Sequence, residues 1–357
     1  MKLLVIKLSS IGDVVHALPA VSLIRRELPN AEISWIVERR ASDVLVGSPV
    51  IDDLIVIDSR SWRAQPFSPA TIEDYKSCRR RLGTGFDVAI DFQGLLKSGI
   101  VASFSGATRR IGFETSELRE SVSRYWLTEQ VTTSQCQHVI QKNCALARAA
   151  LNQSDTAPLS ESTLLGNYEF PIALSRDDEL YAGQIREQMG GAFAILNPGG
   201  GWPTKLWAAQ NYGALADRLW TERSLPSIVT YGPGEELLAR TVADSSNSGR
   251  CTPVPSTLKQ FVALSRQASV FVGGDTGPLH LAAAAGTPIV GLYGPTASAR
   301  NGPFHPDDIT VSRDLWCRAN CHRRKCWHWE CMDIRVDSVA AAVADRLDRI
   351  VSLGAMK

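Results

Sequence analysis

Residues Gly273-Gly-Asp-Thr-Gly-Pro-Leu-His-Leu281 combine three things that a phosphate can use. The glycines let a ligand approach the backbone. Thr276 adds a hydroxyl donor. A helix expected to start beyond the loop would offer free N–H groups and the positive end of its dipole. An ordinary tight turn between strand and helix is the plain alternative. A second glycine-rich loop, Pro198-Gly-Gly-Gly-Trp-Pro-Thr-Lys205, ends on a cation. Its Thr-Lys order is not the Gly-Lys-Ser/Thr of a P-loop, which argues against an ATPase. A third loop, Ser9-Ser-Ile-Gly-Asp13, carries a carboxylate whose plain role is to cap the next helix. It lacks the G-x-G-x-x-G pattern, so a nicotinamide or flavin enzyme is disfavoured. In Gly232-Pro-Gly-Glu-Glu236 two carboxylates sit at a helix start, where pairing with the helix dipole is their ordinary use.

These loops need elements to hold them. Leu3–Ile6, Ile33–Val37, Leu54–Ile57 and Asp87–Asp91 read as buried strands, as do Ala194–Asn197, Ser227–Tyr231, Ala268–Val272 and Pro288–Tyr293. Val14, Leu18, Val21 and Ile24 mark one helix face, with Pro19 as a kink or restart. Leu281–Ala285 reads as helix closed by Gly286, and Gln135–Leu151 as the helix that closes the first half. Asn152–Ala157 is polar and linker-like. Strands alternating with helices imply an α/β fold with parallel sheets and ligands at the carboxyl ends of the strands. The expected division is 1–170, 171–336 and a last helix over 337–357 that packs back on the first domain. Asp337 or Ser338 would cap that helix, whose apolar face is Val339, Val343, Leu347, Ile350 and Val351.

A length of 357 residues favours two domains. Hydrophobic content of 44% and charged content of 21% describe a globular protein with sizeable cores. A net charge of +1 gives no support for a nucleic-acid partner. No apolar run reaches the length of a membrane span, and the first residues are too short for a signal-peptide core, so a cytoplasmic protein with reduced cysteines is expected. Of its 8 cysteines, Cys317, Cys321, Cys326 and Cys331 fall in one tract with His322 and His328. That clustering points to structural zinc or iron, against the alternative of four independent thiols. A catalytic metal is disfavoured, because the tract lies far along the chain from the glycine-rich loops.

Four stretches together carry a resemblance: Lys7-Leu-Ser-Ser-Ile-Gly-Asp-Val-Val-His-Ala-Leu-Pro19, Asp91-Phe-Gln-Gly-Leu-Leu-Lys-Ser98, Lys205-Leu-Trp207 and Gly274-Asp-Thr-Gly-Pro-Leu-His280. They resemble glycosyltransferase family 9, the bacterial lipopolysaccharide heptosyltransferases, in both halves and in order. The N-terminal stretch and Trp35-Ile-Val-Glu38 look closer to heptosyltransferase I than to II. The resemblance implies a GT-B fold of two Rossmann-like domains facing a cleft, an ADP-heptose donor, and a Kdo sugar on lipid A as acceptor. It implies inversion in one displacement without a catalytic cofactor. Asp13 matches the catalytic aspartate. Lys205, Thr276 and Gly277 match diphosphate contacts, Glu236 a ribose contact, and Asp275 a position near the donor sugar. His280 is expected to be structural. Ser10, Arg60, Arg63, Gln93 and Lys97 are expected on the acceptor side, where basic residues meet Kdo carboxylates and lipid A phosphates. Arg79–Arg81 either do the same or form a solvated helix face. Peripheral contact with the inner leaflet is implied, with Trp62 and Phe67 as exposed apolar groups. Other readings are heptosyltransferase II or III, transfer of another sugar, or a nucleotide-sugar-binding protein without catalysis.

Overall fold

The structure is a computed structural model that describes residues 1–152, 168–317 and 321–354. The linker expected over 152–157 lies, beyond Asn152, outside the described residues. The chain divides into two compact units, Met1–Ala173 and Leu174–Lys357.

The first unit holds a six-stranded parallel sheet: β1 (Lys2–Ile6), β2 (Glu32–Glu38), β3 (Asp53–Ile57), β4 (Val88–Asp91), β5 (Arg109–Phe113) and β6 (Glu129–Val131). Their order across the sheet is β3-β2-β1-β4-β5-β6. Central strands of such a sheet are covered on both faces and so read as unbroken apolar runs. Leu3, Leu4, Val5 and Ile6 are all buried accordingly, with Leu4 in register with Ser34 on one side and Ala89 on the other. Leu4, Ile6, Ile36, Ile55 and Ala89 share a core with Cys78, Leu82 and Ala102 from the covering helices. The sequence's helix across Pro19 is two helices, Ile11–Val15 and Leu18–Glu27, with Pro19 in the first turn of the second. There its missing N–H costs nothing.

The second unit repeats the plan with β7 (Ala194–Asn197), β8 (Ser227–Tyr231), β9 (Cys251–Pro255), β10 (Val270–Gly274), β11 (Ile289–Tyr293) and β12 (Ile309–Ser312). Its order is β12-β11-β10-β7-β8-β9. Counted from its own first strand, this is the same order as in the first unit. Each sheet therefore reverses direction beside its first strand, at β1/β4 and at β7/β10. Crevices at the carboxyl ends of the strands there are where ligands bind in open α/β sheets. Strands β5, β6, β9 and β12 were not foreseen from sequence; all lie toward the sheet edges, and in β5, β6 and β9 Arg109, Glu129, Pro253 and Pro255 interrupt any apolar pattern.

The last helix, Val336–Gly354, places part of its apolar stripe in the second unit's own core. Val339, Ala340 and Val343 join the second core with Leu196, Val229, Val272 and Val290. Arg346 fixes the docking: its Nε donates to Asp308 Oδ1 at 3.0 Å, and both side chains are buried. The Ile289 amide donates to the same oxygen. Burial nevertheless outweighs these partners and raises the Asp308 pKa.

Arg346→Ala should therefore cost about 3 kcal/mol or more, because it strands a buried carboxylate. Loss of the guanidinium lifts the carboxyl further, so folding then favours its protonated form. The deficit should be largest near neutral pH and shrink as pH falls through the raised range where the folded carboxyl takes up its proton, above the ~4 of an unfolded aspartate. Urea titrations at two pH values check this. An equal deficit at both would show that Asp308 is not the origin.

Candidate functional site

In the second unit the site is built around Asp275, which follows β10 directly and is only 4% exposed. Lys205 Nζ donates to its Oδ2 at 2.6 Å and to its backbone carbonyl at 2.9 Å. Thr296 Oγ1 donates to Oδ2 at 2.6 Å, Asn301 Nδ2 to Oδ1 at 2.8 Å, and His280 Nε2 lies 3.2 Å from Oδ1. Burial alone would raise the Asp275 pKa. The hydrogen bond and charge of His280, followed by those of Lys205, overcome it and hold the carboxyl far below the usual range. Both oxygens are thus engaged within the protein. Asp275, expected near the donor sugar, is held by internal partners, Lys205 among them. His280, expected to be structural, is buried against Asp275.

Beside this pair the helix Gly277–Ala284 begins, with Thr276 at its N-cap. The Thr276 side chain does not cap the helix, and its Oγ1 is buried without a hydrogen-bond partner among the described residues. The first-turn amides, Pro278 excepted, and this hydroxyl are donors at the same helix end, which suits an anion. The loop after β7 crosses this helix start. A side chain at Gly200 would stand 3.0 Å from Thr276 Cγ2. The same loop ends in the turn Pro203–Lys205, where Lys205 Nζ also lies 4.7 Å from the centre of the Trp202 ring.

The two carboxylates after β8 separate. Glu236 is exposed and pairs with Arg240 one turn on. Glu235 turns inward: it accepts from the Gly232 amide, and its Oε1 lies 2.6 Å from where a Cβ at Gly199 would be. Glu235 is thus the carboxylate at the ends of β7 and β8, a residue that spacing alone does not separate from its neighbour. The signal was Gly199, whose lack of a side chain leaves room for it.

In the first unit the corresponding crevice is laced by a polar network. Lys7 Nζ, almost fully buried, donates to the Phe92 carbonyl at 2.7 Å. Asp91 accepts from the Gln93 and Gly94 amides and from Ser98 Oγ. Burial dominates those bonds and raises the Asp91 pKa. Gln93 Oε1 accepts from the Leu8 and Ser9 amides, so this end of the side chain shapes the loop rather than meeting a ligand. On that loop, Ser10 donates from both its amide and its hydroxyl to Asp13 Oδ2, each at 2.8 Å. Asp13 stands at the third helical position and caps backwards.

Arg60 and Arg63 are exposed on the helix Ser59–Ala64 that follows β3, and Lys97 pairs with Glu38 at 3.3 Å. All three sit at the carboxyl edge of the sheet. Arg80 and Arg81 pair with Glu73 and Asp53, and Arg79 lies over Phe104, which makes that run a helix face. Phe67 is 89% exposed. Trp62 is not an exposed apolar group: it packs on the core and donates to Asp74.

The expected metal at the cysteine tract finds no support. Among the described residues no three of His, Cys, Asp and Glu form a group that could hold a metal ion. Cys321 is exposed and Cys317, Cys326 and Cys331 are half-buried. The thiols remain neighbours, since Cys321, Cys326 and Cys317 add to burial in raising the Cys331 pKa. The tract's bonds go elsewhere: the His322 amide donates to Pro295, and Arg323 accepts from Thr204.

Comparison with known proteins follows the same lines. Residues 75–328 match Glycosyltransferase family 9 (heptosyltransferase). Lipopolysaccharide heptosyltransferase 1 of Pseudomonas aeruginosa is 28% identical over 334 residues, covering 91% of this chain and 87% of that one. Among solved structures, E. coli heptosyltransferase WaaC with ADP-2-deoxy-2-fluoro heptose superposes with a TM-score of 0.70 at 23% identity, over 88% of this chain and 94% of that one. A glycosyl transferase of family 9 from Veillonella parvula gives 0.79 at 18% identity, over 98% and 97%.

The turn that carries Lys205 is sensitive to Gly274. A Cβ there would stand 2.8 Å from the Lys205 carbonyl oxygen, and a backbone atom cannot swing aside. Gly274→Ala should cost about 1–3 kcal/mol. Gly201→Ala, whose Cβ would meet nothing within 4 Å, should be close to neutral. Urea titration of both compares them. Equal stability of the two variants would show that the turn yields freely.

Proposed function

Because the chain belongs to glycosyltransferase family 9, we propose that it transfers heptose from ADP-heptose to a Kdo sugar of the lipopolysaccharide inner core, as a heptosyltransferase of type I. The resemblance to lipopolysaccharide heptosyltransferase 1 over most of both chains supports the reaction. The observation that carries the donor half is the placing of Lys205 beside an open helix start whose Thr276 hydroxyl lacks a partner. A diphosphate brings the acceptors these donors need. Lys205 and the helix amides would stabilise the charge that grows on the leaving diphosphate as the sugar bond breaks. Gly277 would let the phosphate reach the backbone. Asp275 would act through Lys205, and Glu235 rather than Glu236 would meet the nucleotide's ribose.

On the acceptor side Asp13 is the base. The attacking Kdo hydroxyl gives its proton to the carboxylate as its oxygen bonds to the anomeric carbon. The bond from that carbon to the diphosphate breaks on the opposite side, which inverts the centre. Ser10 would orient the base through its two bonds. Gln93 would hold the loop, while Arg60, Arg63 and Lys97 attract the acceptor's anionic groups. No step in this scheme needs a metal or other cofactor. Among the described residues no helix is long and apolar enough to cross a membrane. A lipid-borne acceptor would then be met by surface contact at the inner leaflet, with Phe67 and its neighbouring arginines as the contact.

Two variants test the assignment. Asp13→Asn keeps size and the ability to accept from Ser10, so it should fold normally and bind ADP-heptose. Its single-turnover transfer to Kdo–lipid A should fall by a factor on the order of a hundred or more. A near-normal rate would leave Asp13 as a cap only. Lys205→Ala should weaken donor affinity and slow transfer together, by about tenfold or more each. An unchanged donor affinity would remove Lys205 from the site. Substitution of ADP-glucose or a UDP-sugar for ADP-heptose in the wild-type assay identifies the sugar.

A further inference from the structure

The cysteine-rich tract is not idle in the fold. It lies across the loop that presents Lys205. Thr204 Oγ1 donates to the Arg323 carbonyl at 2.7 Å, across 119 residues of sequence. The His322 ring meets Trp202 edge-on at 6.3 Å. Arg324 places its guanidinium carbon 5.0 Å from the centre of the Trp202 ring, the same ring that Lys205 Nζ approaches to 4.7 Å. Two cations held on one indole are separated by no more than about a Debye length, ~10 Å. Like charges so close repel unless something negative answers them. The charge of Lys205 is answered by Asp275. Among the described residues Arg324 has no carboxylate partner, and it is exposed.

From this geometry we infer that Arg324 is a second cation for the donor's diphosphate, brought to the site by the docked tract and held in place by Trp202. The inference rests on the donor reading given above. A guanidinium fork matches two phosphate oxygens at once, which the point charge of Lys205 does not. Trp202 is half-buried, so it offers a fixed platform rather than a mobile one. The loop that carries it also packs on Thr276 through Gly200. Lys205, the helix start and Arg324 thus converge on one loop from three separate parts of the sequence. The tract then supplies a binding group, whatever the state of its cysteines.

Calorimetric titration of the full-length protein with ADP and with adenosine tests this. Wild type should bind ADP. Arg324→Ala should bind ADP at least tenfold more weakly, with adenosine affinity within twofold of wild type. Arg324→Lys, which keeps the charge but not the fork, should fall between. ADP affinity within twofold of wild type in Arg324→Ala would overturn the inference and leave the donor reading standing. An equal loss for ADP and adenosine would also overturn it, because Arg324 would then only support the loop. Failure of wild type itself to bind ADP would sink the donor reading, and this inference with it.

Discussion

A buried carboxylate must be paid for in partners, and Asp275 sets what the second unit has to assemble. A carboxylate taken out of water costs several kcal/mol unless hydrogen bonds and opposite charge replace its hydration. Here the replacements come from three places: Lys205 from the loop after β7, Thr296 and Asn301 from beyond β11, and His280 from the helix that Asp275 itself precedes. Each partner ties its own segment down. The loop after β7 therefore has little freedom in where it sets Lys205, and the helix start beside it stays open. The donors of the proposed anion site are organised by bonds within the protein, and the carboxylate that organises them need not touch the ligand.

The same plan recurs in the first unit with a different chemical outcome. Both sheets have one strand order, and in both an aspartate closes or directly follows the strand beside the reversal point: Asp91 at the end of β4, Asp275 after β10. In both a lysine donates to a main-chain carbonyl there, Lys7 to Phe92 and Lys205 to Asp275. The aspartates diverge. Asp91 is met mainly by amides and a hydroxyl, burial wins, and its pKa is raised. Asp275 is met by a histidine and a lysine, which outweigh burial, and its pKa is lowered. The first unit spends its lysine on structure and leaves the accessible carboxylate to the loop, as Asp13. The second leaves cation and amides. One fold thus carries the proposed base in one unit and the proposed anion site in the other.

How much of this could be read beforehand follows from burial. Leu3–Ile6 and Ala194–Asn197 are central strands, covered on both faces, and their apolar runs announce them. Arg109–Phe113 and Cys251–Pro255 lie toward the edges, carry charges or prolines, and announce nothing. The glycine-rich loops were legible because a turn that approaches a ligand needs glycine. What was not legible was direction. Glu235 and Glu236 are neighbours, yet one points at Gly199 and the other at Arg240. Gln93 was visible as a polar group in the right loop, but its bond to the Leu8 and Ser9 amides depends on β1 lying beside β4. The cysteine tract was read by composition. Its backbone instead follows the loop it docks on, which spacing cannot show.

Charge makes the same distinction between presence and availability. A net charge of +1 conceals local cations, and one run of them, Arg79–Arg81, is consumed by Glu73, Asp53 and the ring of Phe104. Lys97 is paired as well, but its side chain is 44% exposed, so solvent screens the bond and an incoming anion competes easily. Lys205 is paired with a buried partner and is itself only 14% exposed. An anion cannot displace Asp275 without stranding that carboxylate. It must instead share Lys205, and one shared positive charge is little to hold a diphosphate. The remaining attraction would come from groups less committed elsewhere: the first-turn amides of the Gly277–Ala284 helix, the unpartnered Thr276 hydroxyl and the proposed fork of Arg324. The residues that matter for anion binding are therefore chosen by what they are not already holding, which only the folded arrangement decides.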